Sequence, residues 1–459
     1  MGNDIEMLKV ATGRVDITPP GNTPLAGFGA RDHAGEGIHD PLTATALVLS
    51  QGEKTAVILA LDLSGMTLEF VEKLHNHMKT RFDLDPSQVL VNFSHTHSGP
   101  LIESRAYAID RDGNPLKPID SYVDSLIPAF AEAVQTGLDN LKPAKAYYGI
   151  GETHIGICRR AADAVYEGSF EYANEDKGEY GILANYPNPD REIDRTVPVI
   201  RFVDGQDEPI ALIFGAPCHP TTLNFSNYLV SAEYPAVTRR LLETDMKGAP
   251  AIFLQGMGGD IKPRQVAGEK RFRAGTFEDV EIVGAELAQD VRQVINEGLK
   301  PLAMDLKYGF KRISVPLMQF GREEFERFNK EDQPQHRRLA AQHWLKQMDA
   351  GDPLPASQEH NLSILQLSPE FRFTGISGEL LTFMGWKIKR HLGDSTTFPL
   401  GYTNGAIAYV PDSSVIRVGG YEVLESALIS HYRPAPYSED IDQVLLDGYD
   451  AVLSEMGKV

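Results

Sequence analysis

The chain has 459 residues, of which 42% are hydrophobic and 24% are charged, and its formal net charge is -20. This composition is typical of a globular protein, and the negative charge excludes nucleic acid and anionic membranes as favourable partners. The chain has only two cysteines and no apolar run of about 18 residues, so we expect neither a disulfide framework nor a transmembrane segment.

The start of the chain lacks the basic and apolar regions of a signal peptide. We therefore expect a cytoplasmic protein, although a signal peptide that has been removed would leave the same start. The expected partner is a small-molecule substrate.

Apolar runs of strand length alternate with longer amphipathic stretches along the chain. Residues 55–61 and 89–93 are predicted strands, and the apolar residues between them recur at helical spacing. Further helices are predicted at 121–141 and 278–299, and further strands at 197–203, 210–214 and 251–254. This alternation predicts an α/β fold, which we expect to form one domain over residues 1–459, with a helical excursion at about 320–356.

Two of the predicted strands run directly into histidines. Residues 89–93 lead into Ser94-His95-Thr96-His97, and residues 210–214 lead towards His219. On an extended chain His95 and His97 share one face, and ligands of open α/β sheets bind at the carboxyl ends of strands. The pattern predicts a metal site, an acid/base site, or both. Histidines that only pack or face solvent are the alternative.

Five short motifs occur in the order seen in the neutral/alkaline, non-lysosomal ceramidases. They are GRVDITPP at 13–20, GIHDPL at 37–42, SHTHSGP at 94–100, CHPT at 218–221 and SGEL at 377–380. The chain therefore resembles the catalytic domain of this family over most of its length. The resemblance implies mixed β-sheets flanked by helices. Since the chain ends at Val459, we expect the family's C-terminal β-sandwich domain to be missing.

The resemblance also implies a zinc (Zn²⁺) site. The family's ligands are two histidines, a glutamate and a tyrosine, which His95, His219, Glu379 and Tyr409 match here. Two imidazoles and one carboxylate are a common catalytic zinc set in any case. A tyrosine ligand is unusual, so a pocket-wall aromatic is the alternative for Tyr409.

Three further residues match the family's catalytic groups. His97 is implied to carry a proton, Tyr421 to polarise the substrate carbonyl, and Arg159 to face the substrate. The adjacent Arg160 leaves the registration of Arg159 open, and a solvated arginine is the alternative.

Together these residues predict a zinc-dependent hydrolase that cleaves the amide (N-acyl) bond of a soluble small molecule with zinc-activated water. Ester or lactone hydrolysis at the same site is one alternative. A non-catalytic metal- or ligand-binding relative is an alternative of another class.

One departure from the family concerns the substrate. The family has a Gly-Asp-Val-Ser-Pro type segment where this chain has Gly-Asp-Ile-Lys-Pro-Arg at 259–264. Lys262 and Arg264 would favour an anionic substrate over the neutral head group of ceramide, unless Lys262 turns to solvent. His39 is expected either to contact substrate or to brace its loop. His75 and His336, on predicted helices in polar surroundings, are expected at the surface.

Overall fold

The structure is a computed structural model that describes residues 7–106, 108–160, 186–269, 271–393, 396–406, 408–430 and 433–457. The strands of these ranges are, in chain order, β1 (Leu8–Asp16), β2 (Gly37–Ile38), β3 (Thr43–Gln51), β4 (Lys54–Leu61), β5 (Val89–Phe93), β6 (Lys142–Pro143), β7 (Lys145–Glu152), β8 (Gly156–Cys158), β9 (Thr196–Val203), β10 (Pro209–Ala216), β11 (Leu229–Val230), β12 (Ala251–Gln255), β13 (Ile261–Pro263), β14 (Lys300–Pro301), β15 (Lys307–Pro316), β16 (Ser357–Ser368), β17 (Phe371–Ile376), β18 (Glu379–Leu380), β19 (Thr397–Leu400) and β20 (Tyr409–Val410).

The α-helices are α1 (Leu68–Phe82), α2 (Asp120–Asp139), α3 (Glu233–Asp245), α4 (Phe277–Glu297), α5 (Arg322–Phe328), α6 (Gln335–Asp349), α7 (Thr382–His391), α8 (Ser413–Val418), α9 (Ser426–Ser430) and α10 (Ile441–Met456). Short 3₁₀ turns lie at Pro86–Gln88 and Arg264–Val266, and a π-helical turn lies at Tyr421–Glu425. The strands and helices predicted from the sequence are all present, with bounds that differ by at most a few residues. Helices α5 and α6 occupy the segment predicted as a helical excursion.

Two five-stranded sheets form the centre of the fold. The first has the order β5-β4-β3-β1-β6 and the second the order β12-β10-β9-β7-β14. Only β4 with β5, and β10 with β12, run parallel, while the other neighbours are antiparallel. The prediction of mixed sheets flanked by helices is confirmed.

The two sheets pack face to face between helices. Along β3, Ala46 and Val48 face α1 and α2, whereas the alternating Leu47 faces the second sheet and packs near Ile200 of β9. The other face of the second sheet is covered by α3 and α4. A smaller sheet, in the order β15-β16-β17-β19, packs against α7 and α10.

Phe371 and Phe373 of the smaller sheet reach the core between the two large sheets. Because all three sheets share this core, we propose that they belong to one domain. Among the helices of the described ranges, none combines the length and the apolar character that a bilayer crossing requires.

Candidate metal centre

His95 lies just beyond the carboxyl end of β5 and is held in an unusual backbone conformation. Its φ is +64°, in the left-handed region that non-glycine residues seldom adopt, and strain of this kind clusters at functional sites. Its backbone N–H donates to the carbonyl oxygen of Leu63 at 3.0 Å. Its ring Nδ1 donates to the carbonyl oxygen of Ser64 at 2.5 Å.

His219 lies beyond the end of β10 and is held by a similar pair of hydrogen bonds. Its backbone N–H donates to the carbonyl oxygen of Ile261 at 3.1 Å, and its Nδ1 donates to that of Gly258 at 2.6 Å. Because a carbonyl oxygen can only accept, Nδ1 carries the proton in both rings. In the neutral form of either ring, Nε2 therefore carries the lone pair that can bind a metal.

Glu379 and Tyr409 reach the two histidines from a short parallel pair of strands, β18 and β20, in which they are direct partners. Glu379 Oε2 lies 3.2 Å from Nε2 of His95 and 3.2 Å from Nε2 of His219. The Tyr409 hydroxyl lies 3.4 Å from Nε2 of His219.

The donor set fits a zinc ion. Nε2 of His95, Nε2 of His219 and Glu379 Oε2 converge, and with both rings neutral all three are acceptor atoms that one cation can bind. Ligand atoms about 2.0–2.1 Å from a tetrahedral zinc lie about 3.3 Å apart, which matches the 3.2 Å separations.

The protonation states point the same way. Burial lowers the pKa of His219 to about 4. Burial opposes ionisation of Glu379, yet the neighbouring His95 and His219 hold its pKa well below its ordinary value. A neutral imidazole and an ionised carboxylate are the forms that bind metal.

His97 lies against this group without sharing its anchoring. Its Nε2 is 3.0 Å from Nε2 of His95, and its buried Nδ1 has no hydrogen-bond partner among the described residues. Burial and the charges of His95 and His219 push the pKa of His97 well below its ordinary value. The edge of the Phe28 ring fixes the imidazole from outside, with ring centroids 4.7 Å apart.

Tyr421 and Arg159 form the wall next to Tyr409. The Tyr421 ring lies 5.6 Å from the Tyr409 ring. The Arg159 guanidinium lies 5.1 Å from the Tyr409 ring and 5.7 Å from the Tyr421 ring. Arg159 donates to Glu422 at 2.9 Å, and Arg160 also binds this carboxylate. Tyr421 and Glu422 both belong to the π-helical turn, a feature that is frequent at functional sites.

A cavity of about 550 Å³ opens over these groups, within the usual size range of small-molecule sites. His95, His97, Glu379, Tyr409, Tyr421, Arg159 and Lys262 line it. Its apolar wall comprises Phe28, Ala106, Ile109, Leu339, Ala406 and Ile429. The structure thus brings together eight of the ten predicted site residues. This count includes His219, which does not line the cavity but contacts Glu379.

The remaining two predicted residues do not line this cavity, so we no longer assign them to substrate binding. Arg264 pairs with Glu286 at 2.8 Å on the exposed surface. His39 stacks on the Phe277 ring at 3.6 Å and pairs with Asp40. Each is satisfied by a neighbour that the local sequence did not reveal.

Several residues of the site were not predicted from the sequence, among them Arg105 on the cavity wall. Tyr402, fully buried, places its hydroxyl 3.4 Å from Nε2 of His219 and its ring 4.3 Å from that of His95. Its position just after β19 was the only signal. His336 lines the cavity and bonds Glu425 at 2.7 Å. His75 is buried, which contradicts the expectation of a surface position, whereas His336 is partly exposed at the cavity.

Comparisons with known proteins show which family the chain belongs to. Residues 8–290 match the family model described as neutral/alkaline non-lysosomal ceramidase, N-terminal. Neutral ceramidase A of Dictyostelium discoideum is 26% identical over 277 residues, which cover 57% of this chain and 36% of that protein. Neutral ceramidase of Pseudomonas aeruginosa is 25% identical over 267 residues, which cover 55% of this chain and 36% of that protein.

The fold resembles the crystal structure of the Pseudomonas aeruginosa neutral ceramidase. The TM-score is 0.71 at 16% sequence identity, and the match covers 98% of this chain and 74% of the other. In sequence, the chain matches only 36% of the length of each of the two curated ceramidases above. The family model covers more than half of the chain, and the protein therefore belongs to the neutral/alkaline non-lysosomal ceramidase family.

Proposed function

We propose that the protein is a zinc-dependent hydrolase that cleaves the amide bond of a small N-acyl compound. One observation carries the proposal: His95, His219 and Glu379 direct three acceptor atoms at one point on the floor of a cavity. We propose Tyr409 as the fourth ligand.

Zinc held by such residues would lower the pKa of water, so that the water could act as a nucleophile towards a carbonyl near neutral pH. His97 is the proposed proton carrier. Its buried Nδ1 has no hydrogen-bond partner among the described residues, so this nitrogen can accept a proton from the attacking water and give it to the leaving nitrogen. The carbon–nitrogen bond then breaks, leaving a carboxylate and an amine.

Tyr421 and Arg159 are proposed to stabilise the negative charge that develops on the carbonyl oxygen. Both line the cavity, and Arg159 is held beside the two tyrosine rings by the buried carboxylate of Glu422. Charges and donors fixed before the reaction stabilise such an oxygen without the cost of reorganisation.

The relatives are named neutral ceramidases, and ceramide is an N-acyl lipid. We propose a soluble N-acyl compound as the substrate here, because the cavity wall carries Lys262 and Arg105 as well as Arg159. We also propose a cytoplasmic location, which the two buried free thiols, Cys158 and Cys218, support.

Hydrolysis of an amide, an ester and a lactone with the same acyl chain tests this function. Removal of metal by a chelator should abolish turnover, and zinc should restore it. His219→Ala should show no turnover, with or without added zinc. His391→Ala, which alters an exposed pair with Asp450, should turn over the substrate and respond to the chelator and to zinc as wild type does. Turnover of only the ester or lactone would change the substrate assignment. Ligand binding without any turnover would favour a non-catalytic relative.

A further inference from the structure

The wall of the cavity is unusually rich in cations for a chain with a net charge of -20. Arg105, Arg159 and Lys262 line it, against the single carboxylate of Glu379 on the floor. We infer that Lys262, together with Arg159, forms a subsite for a carboxylate of the substrate. The inference rests on the proposed function, since it names the substrate class of the same cavity.

The neighbouring carboxylates neutralise this wall only in part. Arg159 and Arg160 share one carboxylate, Glu422, and Arg105 pairs with Glu103 at 3.3 Å. Lys262 forms no ion pair with any described residue, and its Nζ rests 4.8 Å from the Phe272 ring. An aromatic face stabilises a cation only modestly, so Lys262 still lacks a counter-charge.

The backbone fixes Lys262 and Arg159 close together. Strand β13 pairs with β8 so that Lys262 lies opposite Ile157 and Ile261 opposite Cys158. The N–H of Arg159 then donates to the carbonyl oxygen of Asp260 at 2.8 Å. Two like charges held on paired backbone segments repel each other, and an anion between them removes that repulsion.

The chemistry of Lys262 is consistent with such a site. Burial, followed by the charge of Arg159, lowers the pKa of Lys262 to about 8, against the opposing effects of Glu233 and Cys218. The lysine is mainly cationic at neutral pH and becomes more so when an anion binds.

An N-acyl amino acid combines an N-acyl bond with a carboxylate on the amine side of that bond. Its acyl chain suits the apolar wall of Phe28, Leu339 and Ile429, and its carboxylate suits Lys262. A cavity of about 550 Å³ has room for both parts. We therefore assign N-acyl amino acids as the substrate class.

The test is a calorimetric titration of the zinc-loaded protein with a compound that cannot be hydrolysed. The probe is the ketone analogue of N-heptanoylglycine, in which a methylene replaces the amide nitrogen, compared with the same molecule bearing a carboxamide in place of the carboxylate. Wild type should bind the carboxylate at least about tenfold more tightly, as expected for one charge-assisted contact. Lys262→Gln should lose most of this preference, because only Arg159 remains, and should still bind the carboxamide.

Lys307→Gln is the matched control, because its partner Asp305 lies on the exposed surface, and it should keep the preference. Equal binding of the two probes by wild type, or an unchanged preference in Lys262→Gln, would overturn the inference. Hydrolysis of N-heptanoylglycine and of its amide is measured separately. Turnover without a carboxylate preference refutes only the subsite, and a preference without turnover refutes only the proposed activity.

Discussion

The proposed role of His97 can be tested through Gly27, which packs against its ring. Gly27 has a φ of +93°, and a Cβ added there would lie 2.4 Å from Cγ and 2.7 Å from Nδ1 of His97. Ordinary contact begins at 3.4 Å, so the imidazole of Gly27→Ala must move by about 1 Å. A misplacement of about 1 Å in a catalytic group costs roughly 100-fold in rate.

The variant should therefore lose roughly 100-fold in kcat/KM while its zinc content stays that of wild type, because His97 is not a proposed ligand. The assay pairs hydrolysis of an N-acyl substrate with elemental analysis of zinc on the same preparation. Gly298→Ala is the control, since Gly298 also has a positive φ, +101°, but its added Cβ meets no atom within 4 Å.

Both variants pay about 1–2 kcal/mol of backbone strain, so a difference in activity between them isolates the displaced ring. Wild-type kcat/KM in Gly27→Ala would refute the role of His97 as the proton carrier. Loss of zinc in Gly27→Ala would show instead that the ring supports the metal.

Three further predictions follow from the same geometry. Tyr409→Phe should weaken zinc binding by roughly tenfold or more, as measured by equilibrium dialysis. Tyr402→Phe, whose hydroxyl is buried behind the cavity, should weaken zinc binding less. A larger effect of Tyr402→Phe than of Tyr409→Phe would make Tyr402 the ligand. The preference for the carboxylate probe in the calorimetric titration should decline as pH rises through about 8, because Lys262 loses its charge above its pKa. A preference that grows with pH would contradict the role of Lys262. Glu422→Gln should lower the free energy of unfolding by about 3–5 kcal/mol in urea denaturation, because it removes the negative charge that the buried Arg159 and Arg160 share. Glu281→Gln, from an exposed pair, should cost at most about 1 kcal/mol. Equal costs would mean that the buried ion pairs contribute little.

Much of the fold and the centre of the site could be predicted from local sequence. The strands β5 and β10 are short apolar runs that fit only buried strands, and each leads directly to a histidine. Since ligands bind at the carboxyl ends of such strands, His95 and His219 could be identified before their partners were known. Glu379 and Tyr409 required the family resemblance, because nothing local shows that β18 and β20 are neighbours.

The residues that were missed or misplaced depend on contacts between distant parts of the chain. His336 lies in a charged helix that resembles a solvated one, and only the contact with Glu425, 89 positions later, brings it to the cavity. Arg264 is close to Lys262 in the sequence, but its side chain pairs with Glu286 on α4. The local pattern of apolar residues shows which face of a helix or strand is apolar. It does not show which charged residue lies across the interface.

The most direct test of the metal centre is the zinc content per chain, measured by elemental analysis on wild type, His95→Ala and His219→Ala purified side by side. We predict close to one zinc per wild-type chain and its loss in both variants. Wild-type protein that binds no zinc even after zinc is supplied, or variants that retain it, would contradict the proposed site.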